Sequence, residues 1–268
     1  MKNIVITGST RGIGYGLAQS FLLSKCNVVI CSRTSKGVNH AVSELAAGNP
    51  VDRILGVVCD ARKPDQVQEL WDKAVQKFGW VDIWINNAGV ANKVSEAWSI
   101  PFSEIDKVVD TNIKGAFFGT TVAVRGMLAQ GHGAIYNMEG LGSEKSRIVE
   151  GMSLYGLTKA GLRYFNDSLF KELEGKPVIA GALQPGMVVT DLIGAQNSGD
   201  PADFERVKWI TNIIGNRVED VSPWLVKKML ANTRNGARFR YMSTMKTTFR
   251  FLSAPFLKRD LFNQQNEE

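Results

Sequence analysis

The chain has 268 residues, is 44% hydrophobic and carries a formal net charge of +6, which suits one α/β domain with ample apolar material for a core. No apolar run reaches the roughly 18 residues of a membrane span, and Met1 leads straight into a strand pattern. No transmembrane helix, signal peptide or transit segment is therefore expected, and the chain reads as soluble and cytoplasmic. Cys26, Cys31 and Cys59 lie in or beside buried strand patterns, and His40 and His132 are isolated, which argues against a disulfide framework and a metal site.

In chain order, Lys2 to Thr7 (KNIVIT) is a short β-branched run, followed by Gly8-Ser9-Thr10-Arg11-Gly12-Ile13-Gly14 and a helical pattern through Ser24. Strand, glycine loop and helix form a place where backbone N–H groups and the positive helix end hold a pyrophosphate. The spacing GxxxGxG departs from the more widespread GxGxxG. A ligand-free glycine turn is the plainer alternative, but its position after the first strand favours nucleotide binding. The second strand, Asn27 to Cys31, ends in Ser32-Arg33, where selectivity for the unphosphorylated cofactor would place an acid on the ribose hydroxyl. Arg33 with Arg11 and Ser32 suits a 2′-phosphate instead, so NADP(H) is expected over NAD(H). Two surface arginines on a basic chain would look the same.

Further strands are expected at Arg53 to Cys59, Val81 to Asn86, Gly133 to Met138, Val178 to Leu183 and Ala237 to Met242. Helices fill the intervals at Gly37 to Ala46, Pro64 to Phe78, Phe102 to Met127, Ser153 to Leu173 and Val218 to Leu230. Near-continuous apolar strands alternating with helices predict one α/β, doubly wound, parallel, seven-stranded sheet with helices on both faces and the ligand at the carboxyl ends of the strands. Residues 1–243 form this domain and 244–268 a basic, aromatic extension. Within about 191–217, Ile193, Phe204, Val207, Trp209, Ile213 and Ile214 make either a mobile lid with an apolar inner face or a helical pair packed on the core. From Arg234 to Arg259 there is no acid. Met245, Phe249, Leu252 and Phe256 share a helical stripe until Pro255, with Lys246, Arg250, Lys258 and Arg259 around it. That stripe is expected to dock on its own domain or a sister subunit, with peripheral membrane contact as the alternative and no nucleic-acid partner. Gln264 to Glu268 should be disordered.

Tyr155-Gly-Leu-Thr-Lys159 places a phenol and an ammonium four residues apart on one helix face. The ammonium favours phenolate, so Tyr155 can serve as a general acid. An ordinary amphipathic helix would also contain such a pair.

With the glycine loop, Asp60-Ala61, Asn86-Asn87-Ala88-Gly89, Asn112 in TNIKGAF, Tyr155/Lys159 and Pro185-Gly186 in that order, residues 1 to 243 resemble the short-chain dehydrogenase/reductase family, with its Rossmann-type fold. The resemblance implies that Asp60 bonds the adenine edge and Asn87, Ala88 and Gly89 support the cofactor. Lys159 would bind the nicotinamide ribose and lower the Tyr155 pKa, and Asn112 would hold a water of the proton relay. Pro185 to Thr190, with Gly186 and Val188, would flank the nicotinamide. The family's carbonyl-polarising serine is missing: its position falls on Gly140 or Gly142, according to the end counted from. Ser143 either replaces it through a displaced loop or is a solvated loop residue.

Tyr136-Asn-Met-Glu-Gly-Leu-Gly-Ser143, Tyr155-Gly-Leu-Thr-Lys-Ala-Gly-Leu-Arg163 and Pro185-Gly-Met-Val-Val-Thr-Asp-Leu192 are similar to the chlorophyll b reductase subgroup. The resemblance implies NADPH-dependent reduction of the formyl group of chlorophyll b to hydroxymethyl, with Tyr155 as proton donor and glycines leaving room for a flat macrocycle. It also implies a homo-oligomer paired through the helices after Phe102 and Ser153. The same chemistry on another bulky ketone, quinone or aldehyde, and a non-catalytic NADP(H)-binding sensor, are the competing readings.

Overall fold

In the computed structural model, residues 1–144, 148–194, 201–254, 256 and 259–262 are described, the side chains of 201–204 excepted. Seven strands, β1 (Asn3–Ile6), β2 (Asn27–Ser32), β3 (Ile54–Val58), β4 (Ile83–Asn86), β5 (Gly133–Met138), β6 (Val178–Gln184) and β7 (Ala237–Arg240), form one sheet. Every pairing is parallel, in the order β3-β2-β1-β4-β5-β6-β7.

Because successive strand side chains face opposite ways, each strand feeds two cores. Ile4, Ile6, Val28, Ile30, Ile83 and Ile85 pack under α1 (Gly12–Leu23), α2 (Ser35–Ala46) and α9 (Val218–Leu230). Val5, Val29, Cys31, Trp84, Ile135 and Ala182 pack under α3 (Pro64–Phe78), α5 (Gly115–Gln130) and α6 (Ser153–Glu172). The apolar continuity of the strands thus reflects a sheet covered on both faces. Strand order reverses between β1 and β4, which opens the crevice where such folds take ligands.

The single helix expected from Phe102 to Met127 is interrupted: α4 (Phe102–Val109) and α5 are joined by a π-helical turn at Asp110–Lys114. Asn112 lies buried in this turn. Its amide is bonded to Val90 N (2.9 Å), Val90 O (2.8 Å) and Thr158 Oγ1 (3.1 Å), which draws this turn inward against the loop after β4.

The expected lid begins as α7 (Asp191–Gly194) and α8 (Pro201–Ile214). Leu192 reaches the apolar cluster around Tyr155 and Ile213 is buried, but Trp209 is 61% exposed. Val207, Ile210 and Ile214 are half-buried along α8, and Phe204 lies outside the described side chains. The tail forms α10 (Thr244–Ser253), capped by Ser243. Its stripe of Met245, Phe249, Leu252 and Phe256 is 66–86% exposed, so it does not dock on its own domain as expected. The polar side turns inward instead: Arg250 donates to Ile214 O and Gly215 O, and Arg259 to Ile213 O and Gly215 O. These arginines satisfy the carbonyls at the end of α8, where cations are favoured. Pro255, Lys258 and Gln264 to Glu268 lie outside the described residues.

Candidate active site

The glycine loop leaves β1 with Gly8 and Gly12 at φ +62° and +57°, which glycine adopts without strain. A Cβ on Gly14 would stand 2.4 Å from Asn87 Nδ2, so the loop and the chain after β4 close on each other with no room for a side chain. Asn87 Nδ2 donates to Thr7 O and Gly8 O (2.9 and 3.0 Å), and Thr7 Oγ1 accepts from Asn87 N and Ala88 N. Ser9 is a staple between strands: its hydroxyl donates to Ile6 O and accepts from Cys31 N. Beside the loop, Thr190 lies against Gly12. The segment from Pro185 to Thr190 is held by bonds between Asn216 and Met187 and Val189, with Val188 bridged to Asn216 and Gly186 packed on Met242.

At the end of β2, Thr10, Ser32 and Thr34 hydroxyls surround Gly37 near the start of α2, with Thr34 Oγ1 capping Gly37 N at 3.3 Å. Arg33 stands close enough to help lower the Asp60 pKa, but the first cause is Arg62. The Arg62 guanidinium grips Asp60 with contacts of 2.6–3.0 Å, so the carboxylate expected to read adenine is already paired. Arg11 pairs with Asp191 of α7 at 3.1 Å, both groups being exposed. Ala61 packs against Gly115 at the start of α5.

Tyr155 and Lys159 are brought to the carboxyl ends of β4 and β5 by α6. Asn92 supplies the cap that α6 lacks on its own N-terminal residue, accepting Tyr155 N at 3.0 Å. Lys159 Nζ donates to Met138 O at 2.7 Å and sits 5.7 Å from the Tyr155 ring centroid. A Cβ on Gly89 would lie 3.4 Å from Asn112 Oδ1 and 3.9 Å from Lys159 Nζ; these groups therefore lie side by side. Around the phenol pack Ala91, Val94, Leu141, Met152 and Leu192, a small apolar cluster.

Electrostatically the pair departs from expectation. Burial pushes Tyr155 up to about 12, and burial pulls Lys159 down to about 8, with Glu139 opposing it. The expected lowering of Tyr155 is absent because its phenolate would be desolvated and the ammonium is engaged with a carbonyl.

Ser143 is buried, which rules out the solvated-loop reading. Its hydroxyl accepts from Gly140 N (3.1 Å) and donates to Lys159 O (3.2 Å), binding the loop to α6. Both positions where the serine was sought are crowded, Gly142 by backbone and Gly140 by the end of a side chain. A Cβ at Gly140 would lie 2.8 Å from Tyr155 Oη, and one at Gly142 would lie 2.4 Å from Gly156 O. Nothing in the sequence pattern singles out Asn92 or Arg62, or the buried Asn86–Asn137–Asn166–Glu139 chain of hydrogen bonds.

A seven-stranded parallel sheet with a glycine loop and a Tyr-Lys pair at its carboxyl edge defines a class, and the short chain dehydrogenase family model matches residues 2–201. The chain belongs to the short-chain dehydrogenase/reductase family. It is 37% identical to the chloroplastic chlorophyll(ide) b reductase of Oryza sativa, covering 94% of this chain and 71% of that protein. It is 34% identical to the probable chlorophyll(ide) b reductase of Arabidopsis thaliana, covering 90% of this chain. The chain spans about half, 51%, of the latter's length. A 3-oxoacyl-[acyl-carrier-protein] reductase of Staphylococcus epidermidis is 31% identical over 72% of this chain and 78% of its own. Among solved structures, a serine dehydrogenase complexed with NADP+ superposes with a TM-score of 0.77 at 25% identity, covering 88% of this chain and 93% of that one. Among the described residues no helix is long and apolar enough to cross a membrane. The compartment given for the plant relatives is the chloroplast, unlike the cytoplasm expected here.

Proposed function

We propose that this chain is an NADP(H)-dependent carbonyl reductase that reduces the formyl group of chlorophyll(ide) b to hydroxymethyl. The observation that carries the reading is the meeting of Tyr155, Lys159, Asn112 and Gly89 beside a small apolar cluster. The names of the plant relatives support the choice of substrate.

The cofactor's site fits the residues present: the Gly8–Gly14 cradle is closed to side chains, and the Thr10, Ser32, Thr34 and Gly37 cluster suits a phosphate at a helix start. Gly8, Gly12 and Gly14 would hold the pyrophosphate, Ser32 and Arg33 the 2′-phosphate, the Asp60–Arg62 pair and Ala61 the adenine side, and Pro185 to Thr190 the nicotinamide side. Arg11, held by Asp191, would tie the glycine loop to the lid. When bound, NADPH supplies a hydride to the carbonyl carbon. Tyr155 donates its phenol proton to the carbonyl oxygen, the Lys159 ammonium stabilises the phenolate left behind, and Asn112 with water returns the proton. Ser143 holds the loop in register, and a backbone N–H of the Gly140–Gly142 turn polarises the carbonyl.

The test is purified protein with NADPH and chlorophyllide b, followed by visible absorption. Wild type should convert the formyl pigment, and Tyr155→Phe should lose about 100-fold or more in turnover while NADPH fluorescence titration stays unchanged. Turnover retained in the variant removes Tyr155 from the mechanism. A second reading, reduction of another bulky ketone or aldehyde, is favoured by the 3-oxoacyl reductase relative and would appear as turnover of such substrates alone. Exposed Phe117, Leu157 and Tyr164 on α5 and α6 support pairing of these helices between copies, which sedimentation would report.

A further inference from the structure

The junction between α8 and α9, Gly215-Asn216, is gripped from two sides. On one side it holds the segment expected beside the nicotinamide. Asn216 N donates to Met187 O (2.9 Å), Val189 N to Asn216 O (3.0 Å), and Asn216 Nδ2 to Met187 O again (3.2 Å). Thr190, one residue further on, lies against Gly12 of the glycine loop. On the other side stands the C-terminal tail. Arg250 Nη1 donates to Ile214 O (3.2 Å) and Gly215 O (2.9 Å), Arg259 Nη1 to Ile213 O (3.1 Å), and Arg259 Nη2 to the same Gly215 O (3.1 Å). Leu261 N donates to Asn212 Oδ1 (2.9 Å), and a Cβ on Gly215 would lie 3.0 Å from Leu261 Cδ1. Two guanidinium groups thus meet on one carbonyl, where like charges repel. The negative end of α8, whose last carbonyls need donors, offsets that repulsion.

We propose that Arg250 and Arg259 are positioning residues for the cofactor: by fixing the end of α8 they keep Asn216 in register with Met187 and Val189, and so hold Met187 to Thr190 against the glycine loop. This rests on the cofactor site proposed above. The connection is a run of direct bonds through one rigid unit. Gly215 C=O and Asn216 N–H belong to the same planar trans peptide and point to opposite sides of the chain. The tail holds the carbonyl, and Met187 accepts from the N–H. A tilt of that plane, allowed once the arginines let go, therefore turns the N–H away from Met187.

NADPH fluorescence titration and amide hydrogen exchange read this without any carbonyl substrate. Arg250→Ala with Arg259→Ala should weaken NADPH binding about 5-fold or more and speed exchange of the Asn216 and Val189 amides, with those of β1 unchanged. Arg250→Lys with Arg259→Lys, which restores the charge and part of the donor set, should recover part of the affinity. Because coupling is reciprocal, saturating NADPH should slow exchange of the Leu261 amide in wild type. Phe249→Ser with Leu252→Ser, on the exposed face of α10, should leave NADPH affinity at the wild-type value; an equal loss there would overturn the proposal. A purely structural role of the arginines would lower the melting temperature and leave NADPH affinity and the Asn216 and Val189 exchange unmoved, which would also overturn it. Should the double alanine variant not fold, Arg250→Ala alone, which leaves the Arg259 bonds in place, carries the same test, an unmoved affinity again being fatal. If wild type reduces no carbonyl yet these shifts appear, the proposed function falls while the hold of the tail on the cofactor segment stands.

Discussion

Tyr155 and Lys159 are each forced toward neutrality by burial. The phenol, near 12, is fully protonated at neutral pH and available as a donor, whereas Lys159, near 8, changes charge in the working range. The ammonium is present below about 8 and lost above it, so turnover should fall as pH rises through this point, while substrate reduction is retained on the acid side. A turnover profile measured from pH 6.5 to 9.5 checks this; a flat profile would show that the charge of Lys159 is not required. Gly140 is the second sensitive position. Gly140→Ala puts a methyl 2.8 Å from Tyr155 Oη, and displacing the phenol by about 1 Å should cost on the order of 100-fold in kcat. The variant's melting temperature should change little, since the atoms it meets are the ends of the Tyr155 and Lys159 side chains rather than backbone. The Tyr-Lys pair and the glycines were legible in the sequence because their spacing is local. Asn92 and Glu139 were not, because their partners lie 63 residues away at Tyr155 and 45 at Gln184, and no periodicity records such bonds.

At the scale of elements, α10 shows what a helical stripe does and does not determine. The period of Met245, Phe249 and Leu252 correctly marked one face of a helix, yet that face is exposed and the arginines are the anchors. Phe249→Ser with Leu252→Ser should therefore leave urea-unfolding stability within about 0.5 kcal/mol. Arg250→Ala with Arg259→Ala should cost about 1–3 kcal/mol, because the carbonyls ending α8 lose their donors. The opposite ranking would mean that the stripe is covered in solution, by a second copy or another surface. The π-helical turn at Asp110–Lys114 was hidden for a related reason. A single helical period fits Phe102 to Met127, and only the bonds from Asn112 to Val90 and Thr158 reveal the break.

For the whole molecule, strand-helix alternation and doubly apolar strands were sufficient for a seven-stranded parallel sheet, since only helices on both faces can cover such strands. The same logic, with the glycine loop after the first strand, led to the expectation of a ligand at the carboxyl ends of the strands, and the strand order reverses between β1 and β4. By itself, then, the sequence determined the architecture, the nucleotide cradle and the Tyr155–Lys159 pair, all of which rest on local spacing and hydrophobic period. Tertiary structure alone decided that Ser143 braces the loop, that Arg62 holds Asp60, that Arg11 pairs with Asp191 and that Glu139 meets Asn166, Gln184 and Arg238. Those outcomes depend on which distant polar groups meet away from water, and the strength and direction of each interaction exist only once the chain has closed around it.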